Sequence, residues 1–183
     1  MASGVGSRSA CVSGLALLVA LVSALGLVGC VSEPVVEPIE LPESGGEPID
    51  ITWGAIDGSM VGGAQLRGRV TVLLFFTTFD MVSQAQAKRL QDVWRLHAPR
   101  VNAIGVVLEP PRNVDLARTF ASTLGIDYPI VMADSETLAG RGPFAKVRGV
   151  PTWVVLDRRG SIRDAHFGAF HPDDLEAFVS SAE

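Results

Sequence analysis

The run "RVTVLLFF", Arg69 to Phe76, dictates more about the fold than any other segment of this sequence. It is rich in β-branched and aromatic residues, and apolar and polar positions do not alternate along it. Such a run is typical of a central strand that is covered on both faces. We therefore expect an α/β protein in which helices enclose a sheet.

The segments after this strand predict alternating helices and strands. A helix is predicted from about Asp80 to His97, and Pro99 blocks its continuation. "VNAIGVVLE", Val101 to Glu109, is predicted to be a second buried strand. The helix carries an approximate apolar stripe that would face the sheet, formed by Val82, Ala85, Leu90, Val93 and Trp94.

The second half of the chain predicts antiparallel strands after the parallel ones. "NVDLARTFASTLG" predicts an amphipathic helix that Gly125 caps, and "YPIVMAD" is either a short strand or an extended crossing. "SETLAGRGPFAKV" predicts a weaker helix, and "PTWVVLDRRGSIRDAHFGAF" predicts two strands joined as a hairpin. "HPDDLEAFVSSAE" is predicted to be a closing helix. Parallel crossovers followed by a hairpin predict a mixed central sheet with helices on both faces.

The first fifty residues are predicted to lie outside the fold. Residues 1–29 combine Arg8, an apolar run and "LVG" before Cys30, which is typical of a secretory signal and resembles a bacterial lipoprotein signal. That resemblance implies a lipid on Cys30; the alternative is an uncleaved signal anchor. Residues 30–50 are then the lipidated cysteine and a tether rich in Pro and Glu, and residues 51–183 are the domain.

The net charge, the glycine pattern and the spacing of the histidines argue against several functions. The formal net charge is −5, so no basic surface predicts a nucleic-acid partner. Gly62-Gly63 matches no nucleotide-binding pattern, and we expect neither a nucleotide nor another cofactor. The three histidines, His97, His166 and His171, lack the close spacing of a metal pair, so no metal site is predicted.

The order of elements and three local motifs resemble the thioredoxin-like superfamily, in its branch of membrane-tethered TlpA-like reductases and redoxins of the AhpC/TSA type. "LRGRVTVLLFFTTF" resembles the strand that enters the active site of that family. The helix before "YPIVMAD" resembles the insertion of the TlpA-like branch. "VRGVPTWVVLDRRGSI" resembles the Gly-Val-Pro-Thr segment and the Asp-x-x-Gly turn after it. The resemblance implies a thioredoxin-like α/β/α sandwich over residues 51–181.

The third motif implies that the Val150–Pro151 peptide bond is cis, against the alternative of a trans proline that begins a strand. In the family this loop lies beside the active site and keeps a strand-like edge open for extended substrates. The resemblance therefore implies a cleft between the Phe79–Ser83 turn and this loop. Its expected lining residues are Phe79, Asp80, Ser83, Glu109, Val150, Pro151 and Thr152.

The first motif departs from the family at the residues that carry its chemistry. Asp80-Met81-Val82-Ser83 replaces Cys-x-x-Cys, and Phe79 stands where the family usually has Trp. The only cysteines are Cys11, in the predicted signal, and Cys30. Thiol–disulfide exchange requires a thiolate, so no catalytic residue is expected.

The replacement residues have structural alternatives to a chemical role. Asp80 suits a helix N-cap, where a lowered pKa would make it a poor general base. Ser83 could act as a nucleophile only beside a base, and its alternative is a polar residue in the first helical turn. Glu109 either lines the cleft or is a solvent-exposed strand end.

The sequence thus favours an extracytoplasmic lipoprotein of the cell envelope that binds an extended peptide or an envelope protein without catalysis. Two alternatives remain. A thiol–disulfide oxidoreductase or antioxidant peroxidase would follow the family and would need a thiol from Cys30 or from a partner. A structural spacer would need no cleft at all.

Overall fold

The computed structural model describes residues 46–182. The expected signal segment 1–29, Cys30 and residues 31–45 of the tether lie outside the described residues. The described part of the chain has seven strands and four α-helices, with short 3-10 helices at Pro111–Asn113 and Gly142–Phe144: β1 (Thr52–Gly54), β2 (Met60–Gly62), β3 (Val70–Phe76), α1 (Met81–His97), β4 (Val101–Val107), α2 (Val114–Leu124), β5 (Ile130–Met132), α3 (Ser135–Leu138), β6 (Thr152–Leu156), β7 (Ile162–Phe167) and α4 (Pro172–Ser180).

Five strands form the central sheet in the order β5-β4-β3-β6-β7. β3, β4 and β5 are parallel, whereas β6 is antiparallel to β3 and β7 is antiparallel to β6. This mixed sheet confirms the fold class predicted from the sequence. A separate antiparallel hairpin, β1–β2, pairs Thr52–Gly54 with Met60–Gly62.

The two faces of β3 explain why its sequence does not alternate. Val70, Val72, Leu74 and Phe76 pack in a core with residues of α1, α2 and α4. Leu73 and Phe75 point the other way, into a second core that includes Trp53 of β1 and Phe144. All seven residues of β3 are buried, as expected for a strand covered on both faces.

Only part of the predicted stripe of α1 faces the core: Leu90 is buried, and the partly buried Val93 and Trp94 pack against the core as expected. Val82 and Ala85 were expected in the apolar stripe, but both are exposed. The buried residues of the helix are Ser83, Gln86, Ala87, Leu90 and Gln91. The prediction was wrong for Val82 and Ala85, because long-range hydrogen bonds make two glutamines suitable for burial in their stead.

Those hydrogen bonds connect α1 to two distant loops. The Gln86 side chain accepts from the Phe170 amide at 3.0 Å and donates to the Phe170 carbonyl at 3.4 Å. Gln91 accepts from the Asp127 amide and donates to the Asp127 carboxylate, both at 2.9 Å. Each amide group is thereby satisfied inside the protein, which offsets the cost of burying it.

Candidate functional site

Asp80 caps the helix that begins the candidate site. Its backbone is extended, and its carboxylate oxygen Oδ2 accepts a hydrogen bond of 2.7 Å from the Ser83 amide. The first amides of a helix have no partner within the helix, so this bond satisfies one of them. The structure therefore supports the capping interpretation of Asp80.

The surroundings of Asp80 hold the pKa of its carboxyl below the ordinary value of 3.8. The Ser83 hydroxyl contributes most and the Ser83 amide next, while partial burial acts in the opposite direction. Of these two contacts only the amide has hydrogen-bond geometry, so we regard it as the firmer cause. Asp80 is thus a stable anion near neutral pH and a poor proton acceptor.

Ser83 is completely buried directly beneath this cap. Its hydroxyl oxygen has no hydrogen-bond partner among residues 46–182. The sequence predicted a polar residue in the first helical turn but not its burial. Without a base at hydrogen-bond distance in the described part of the chain, Ser83 lacks what activates a serine nucleophile.

Glu109 supports the turn that leads from β3 into α1. One of its carboxylate oxygens accepts from the Thr78 amide at 2.6 Å and from the Thr78 hydroxyl at 2.8 Å. The other accepts from the Asn113 side chain at 2.8 Å. Glu109 is only 2% exposed, so the alternative of a solvent-exposed strand end is wrong. Its bonds to Thr78 fix the residue that precedes Phe79.

The Val150–Pro151 peptide bond is cis, as is the bond between Ala98 and Pro99. The Pro151 carbonyl accepts from the Gly168 amide at 2.8 Å, which joins this loop to the residue after β7. Thr152 is buried, and its hydroxyl donates to the Gly149 carbonyl at 2.7 Å. Thr152 therefore holds the loop rather than offering its side chain to a cleft.

The strand register places the turn and the loop at one end of the sheet. Phe75 pairs with Thr152 across β3 and β6, so the residues after Phe76 lie beside those before Thr152. Glu109 reaches the same end from β4, where Val107 pairs with Phe76. The structure thus brings together the elements that carry all seven predicted cleft residues.

An exposed apolar surface surrounds the cap, and of its three residues only Phe79 was predicted to belong to the site. Phe79, Met81 and Val82, here called the apolar rim, are 76%, 81% and 47% exposed. A signal was available in the sequence, since "FDMV" places three apolar residues around a helix N-cap, where solvent is expected. Exposed apolar residues that adjoin one another are typical of a binding surface.

The contacts of the three histidines are with residues outside this site. His97 Nε2 lies 3.4 Å from a Glu176 carboxylate oxygen, His166 stacks on Phe170, and His171 precedes α4. Among residues 46–182, no three potential metal ligands cluster. Both cysteines of the chain lie outside this range.

Solved structures with a similar fold include a thiol:disulfide interchange protein and a disulfide oxidoreductase. A thiol:disulfide interchange protein of the thioredoxin family from Chlorobium tepidum has a TM-score of 0.64 and 20% identity, over 77% of this chain and 99% of its own. A DsbF homologue from Corynebacterium diphtheriae has a TM-score of 0.63 and 20% identity, over 73% and 85%. A secreted Mycobacterium tuberculosis disulfide oxidoreductase, homologous to E. coli DsbE, has a TM-score of 0.59 and 22% identity, over 72% and 96%.

These likenesses establish a thioredoxin-like fold for the described domain. At such identities they do not extend to activity, because one fold supports many functions. No protein-family model matches the sequence, and no curated protein matches it either. Within residues 46–182, none of the helices has the length and apolar character needed to cross a membrane.

Proposed function

We propose that this protein is a non-catalytic peptide- or protein-binding module of the cell envelope, anchored by a lipid on Cys30. One observation carries the proposal: an exposed apolar rim and a cis-proline loop lie at the same end of the sheet, in a domain without cysteine. An extended segment of the partner would lie between the rim and the loop.

The backbone of Val150 supports binding of an extended segment. Neither its amide nor its carbonyl has a hydrogen-bond partner in the part of the chain that the structure describes. Unpaired backbone groups in a loop can pair with an added extended segment, which gains affinity from main-chain hydrogen bonds. The apolar rim would then supply side-chain contacts, with Phe79 as the largest.

The absence of sulfur at positions 80 and 83 supports a role without redox chemistry. A carboxylate and a buried hydroxyl cannot form the mixed disulfide through which thiol exchange proceeds. The lowered pKa of Asp80 also argues against general-base catalysis. If the full-length chain nevertheless reduces insulin disulfides faster than a heat-denatured sample, the oxidoreductase alternative replaces this part of the proposal.

The envelope location rests on the signal-like N-terminus, and the secreted fold neighbour agrees with it. Lipid attached through Cys30 would hold the domain at a membrane surface. Mass spectrometry of the membrane form is expected to find a new N-terminus at Cys30 that carries acyl groups. An unmodified Cys30 would contradict the anchor.

Peptide selection tests the binding proposal. Short random peptides displayed on phage are selected on the full-length chain in detergent, and the retained clones are measured on Phe79→Ser and Pro151→Ala. Losing an exposed aromatic contact at the centre of an interface typically costs about 2 kcal/mol or more. We therefore expect the clones to bind Phe79→Ser at least about tenfold more weakly. Pro151 is buried, and Pro151→Ala is expected to weaken binding by altering the loop at the edge of the cleft.

Leu96→Ser is the matched control, because Leu96 is also 76% exposed and lies near the other end of α1. The selected clones are expected to bind this variant as they bind the wild type. The proposal is contradicted if the clones bind both Phe79→Ser and Pro151→Ala with wild-type affinity while the unfolding midpoints of these variants are unchanged. Binding would then lie outside the cleft.

A further inference from the structure

A second surface lies at the opposite end of the sheet from the candidate site. It is a groove of about 290 Å³ between the end of α1, the start of β4 and the residue before β5. Its walls are largely apolar, and the residues used below are Val61, Arg69, Trp94, Pro99, Asn102 and Pro129. Trp94 is only half-buried, whereas the other two tryptophans, Trp53 and Trp153, are 1% and 0% exposed.

One basic side chain lines this groove, and two more are close to its lining residues in sequence. Arg69 lines it, Arg100 lies between two of its lining residues in sequence, and Arg67 precedes Arg69 by two positions. All three are exposed, and none forms an ion pair within residues 46–182. The groove therefore fits a ligand with apolar and acidic sides.

The tether contains a segment with this character. In "EPIELPE", Glu37 to Glu43, glutamates recur at every third position, Glu37, Glu40 and Glu43. The positions between them are Pro38, Ile39, Leu41 and Pro42. A polyproline II helix has three residues per turn, so in that conformation the glutamates share one side and the apolar residues occupy the other two.

The chain enters the described domain at the end of the sheet that carries the groove. The Ile49 amide donates to the Gly160 carbonyl at 2.9 Å. A Cβ on Gly160 would lie 3.4 Å from the Arg67 side chain, so Ile49 and Arg67 flank the same turn. Ser44-Gly45-Gly46 separates the acidic segment from this point and permits a reversal of direction. At about 3.1 Å per residue, the seven residues span roughly 22 Å, enough to follow the groove.

We infer that residues 37–43 bind back onto this groove as a polyproline II helix. The apolar sides contact Trp94 and the neighbouring prolines, and the glutamates face Arg67, Arg69 and Arg100. Aromatic and proline-lined grooves bind such segments in many proteins, because the extended helix loses little entropy on binding. This contact goes beyond the proposed function: it shortens the tether and leaves the candidate site, at the other end of the sheet, accessible.

Tryptophan fluorescence tests the inference, since Trp94 dominates the quencher-accessible signal. Acrylamide quenching is measured on three full-length proteins in detergent. They are the wild type, the triple variant Glu37→Lys/Glu40→Lys/Glu43→Lys and the double variant Ile39→Ser/Leu41→Ser. A short linker gives an effective concentration in the millimolar range, so the segment is largely bound in the wild type. Both variants should raise the quenching constant about twofold, and adding Trp94→Phe should remove the difference.

Glu47→Lys is the control, because Glu47 carries the same charge but lies outside the period-three segment. It is expected to quench like the wild type. Quenching that is unchanged in both segment variants would overturn the inference. The inference would also be overturned if diluting the wild type removed the protection of Trp94. That result would mean that a second copy of the chain occupies the groove.

Discussion

Asp80 shows how a helix N-terminus can hold a negative charge in a structural role. The first turn of a helix favours a negative charge through its unpaired amides and its dipole. The same environment that would stabilise a thiolate here stabilises a carboxylate bonded to the Ser83 amide. The local structure of the site can therefore persist without sulfur.

Replacing Asp80 tests its role as a cap. Asp80→Ala removes the acceptor of the Ser83 amide, so we expect the free energy of unfolding in urea to fall by about 1 kcal/mol. Asp92→Ala is the control within the same helix, since Asp92 pairs only with the exposed Lys88. That change should stay within about half a kcal/mol.

The same pair of proteins gives a pH prediction. Because the folded pKa of Asp80 lies below 3.8, its carboxylate stabilises the fold fully above the unfolded pKa. This contribution is lost as the pH falls through the folded pKa. The stability difference between wild type and Asp80→Ala should be constant near neutrality and narrow below about pH 3.8. A difference that widens in acid would contradict the assignment.

At the scale of elements, the sequence predicted well those features that depend on residues close together along the chain. The strand Val70–Phe76, the start of α1 after Asp80 and the left-handed cap at Gly125 all follow from local patterns. Burial of Glu109 could not be predicted, because its partner Thr78 lies 31 residues away. The outward position of Val82 was missed for a related reason, since glutamine contacts with distant loops set the rotation of α1.

Close contact between β4 and its neighbours gives a test of the sheet. A Cβ on Gly105 would lie 2.9 Å from the Phe76 ring and 3.2 Å from the Tyr128 ring. Gly105→Ala should therefore cost about 1–3 kcal/mol of unfolding free energy. Gly54→Ala is the matched strand control, because nothing lies within 4 Å of a Cβ there. Equal unfolding midpoints for the two variants would contradict the packing of β4.

Restoring two cysteines tests the correspondence between α1 and a redox helix. In Asp80→Cys/Ser83→Cys the two thiols would lie one turn apart at a helix N-terminus, which lowers the pKa of a thiol. We expect the pair to close under mild oxidation and to reopen with reductant, measured by the mass added on alkylation.

Asp80→Cys alone is the control, since it carries the same Cys11 and Cys30 without a partner in the first turn. The contrary result is a folded double variant in which alkylation of the two new thiols is the same before and after oxidation. It would mean that these positions do not correspond to a dithiol.

At the scale of the molecule, Ile49, near which the described chain begins, and the candidate site lie at opposite ends of the sheet. Ile49 joins the turn between β6 and β7, near the start of β3, whereas Phe79 and Pro151 lie beyond the end of β3. Six residue steps along β3 separate these ends by roughly 20 Å. A domain attached in this way would present its apolar rim away from the tether.

Amide chemical shifts of the isotope-labelled full-length chain test the cleft most directly, when a selected peptide is added. The proposal predicts the largest changes at Phe79, Val82 and Val150, with Leu96 unaffected. Shift changes confined to the groove around Trp94, or spread without a maximum near the cis-proline loop, would contradict it.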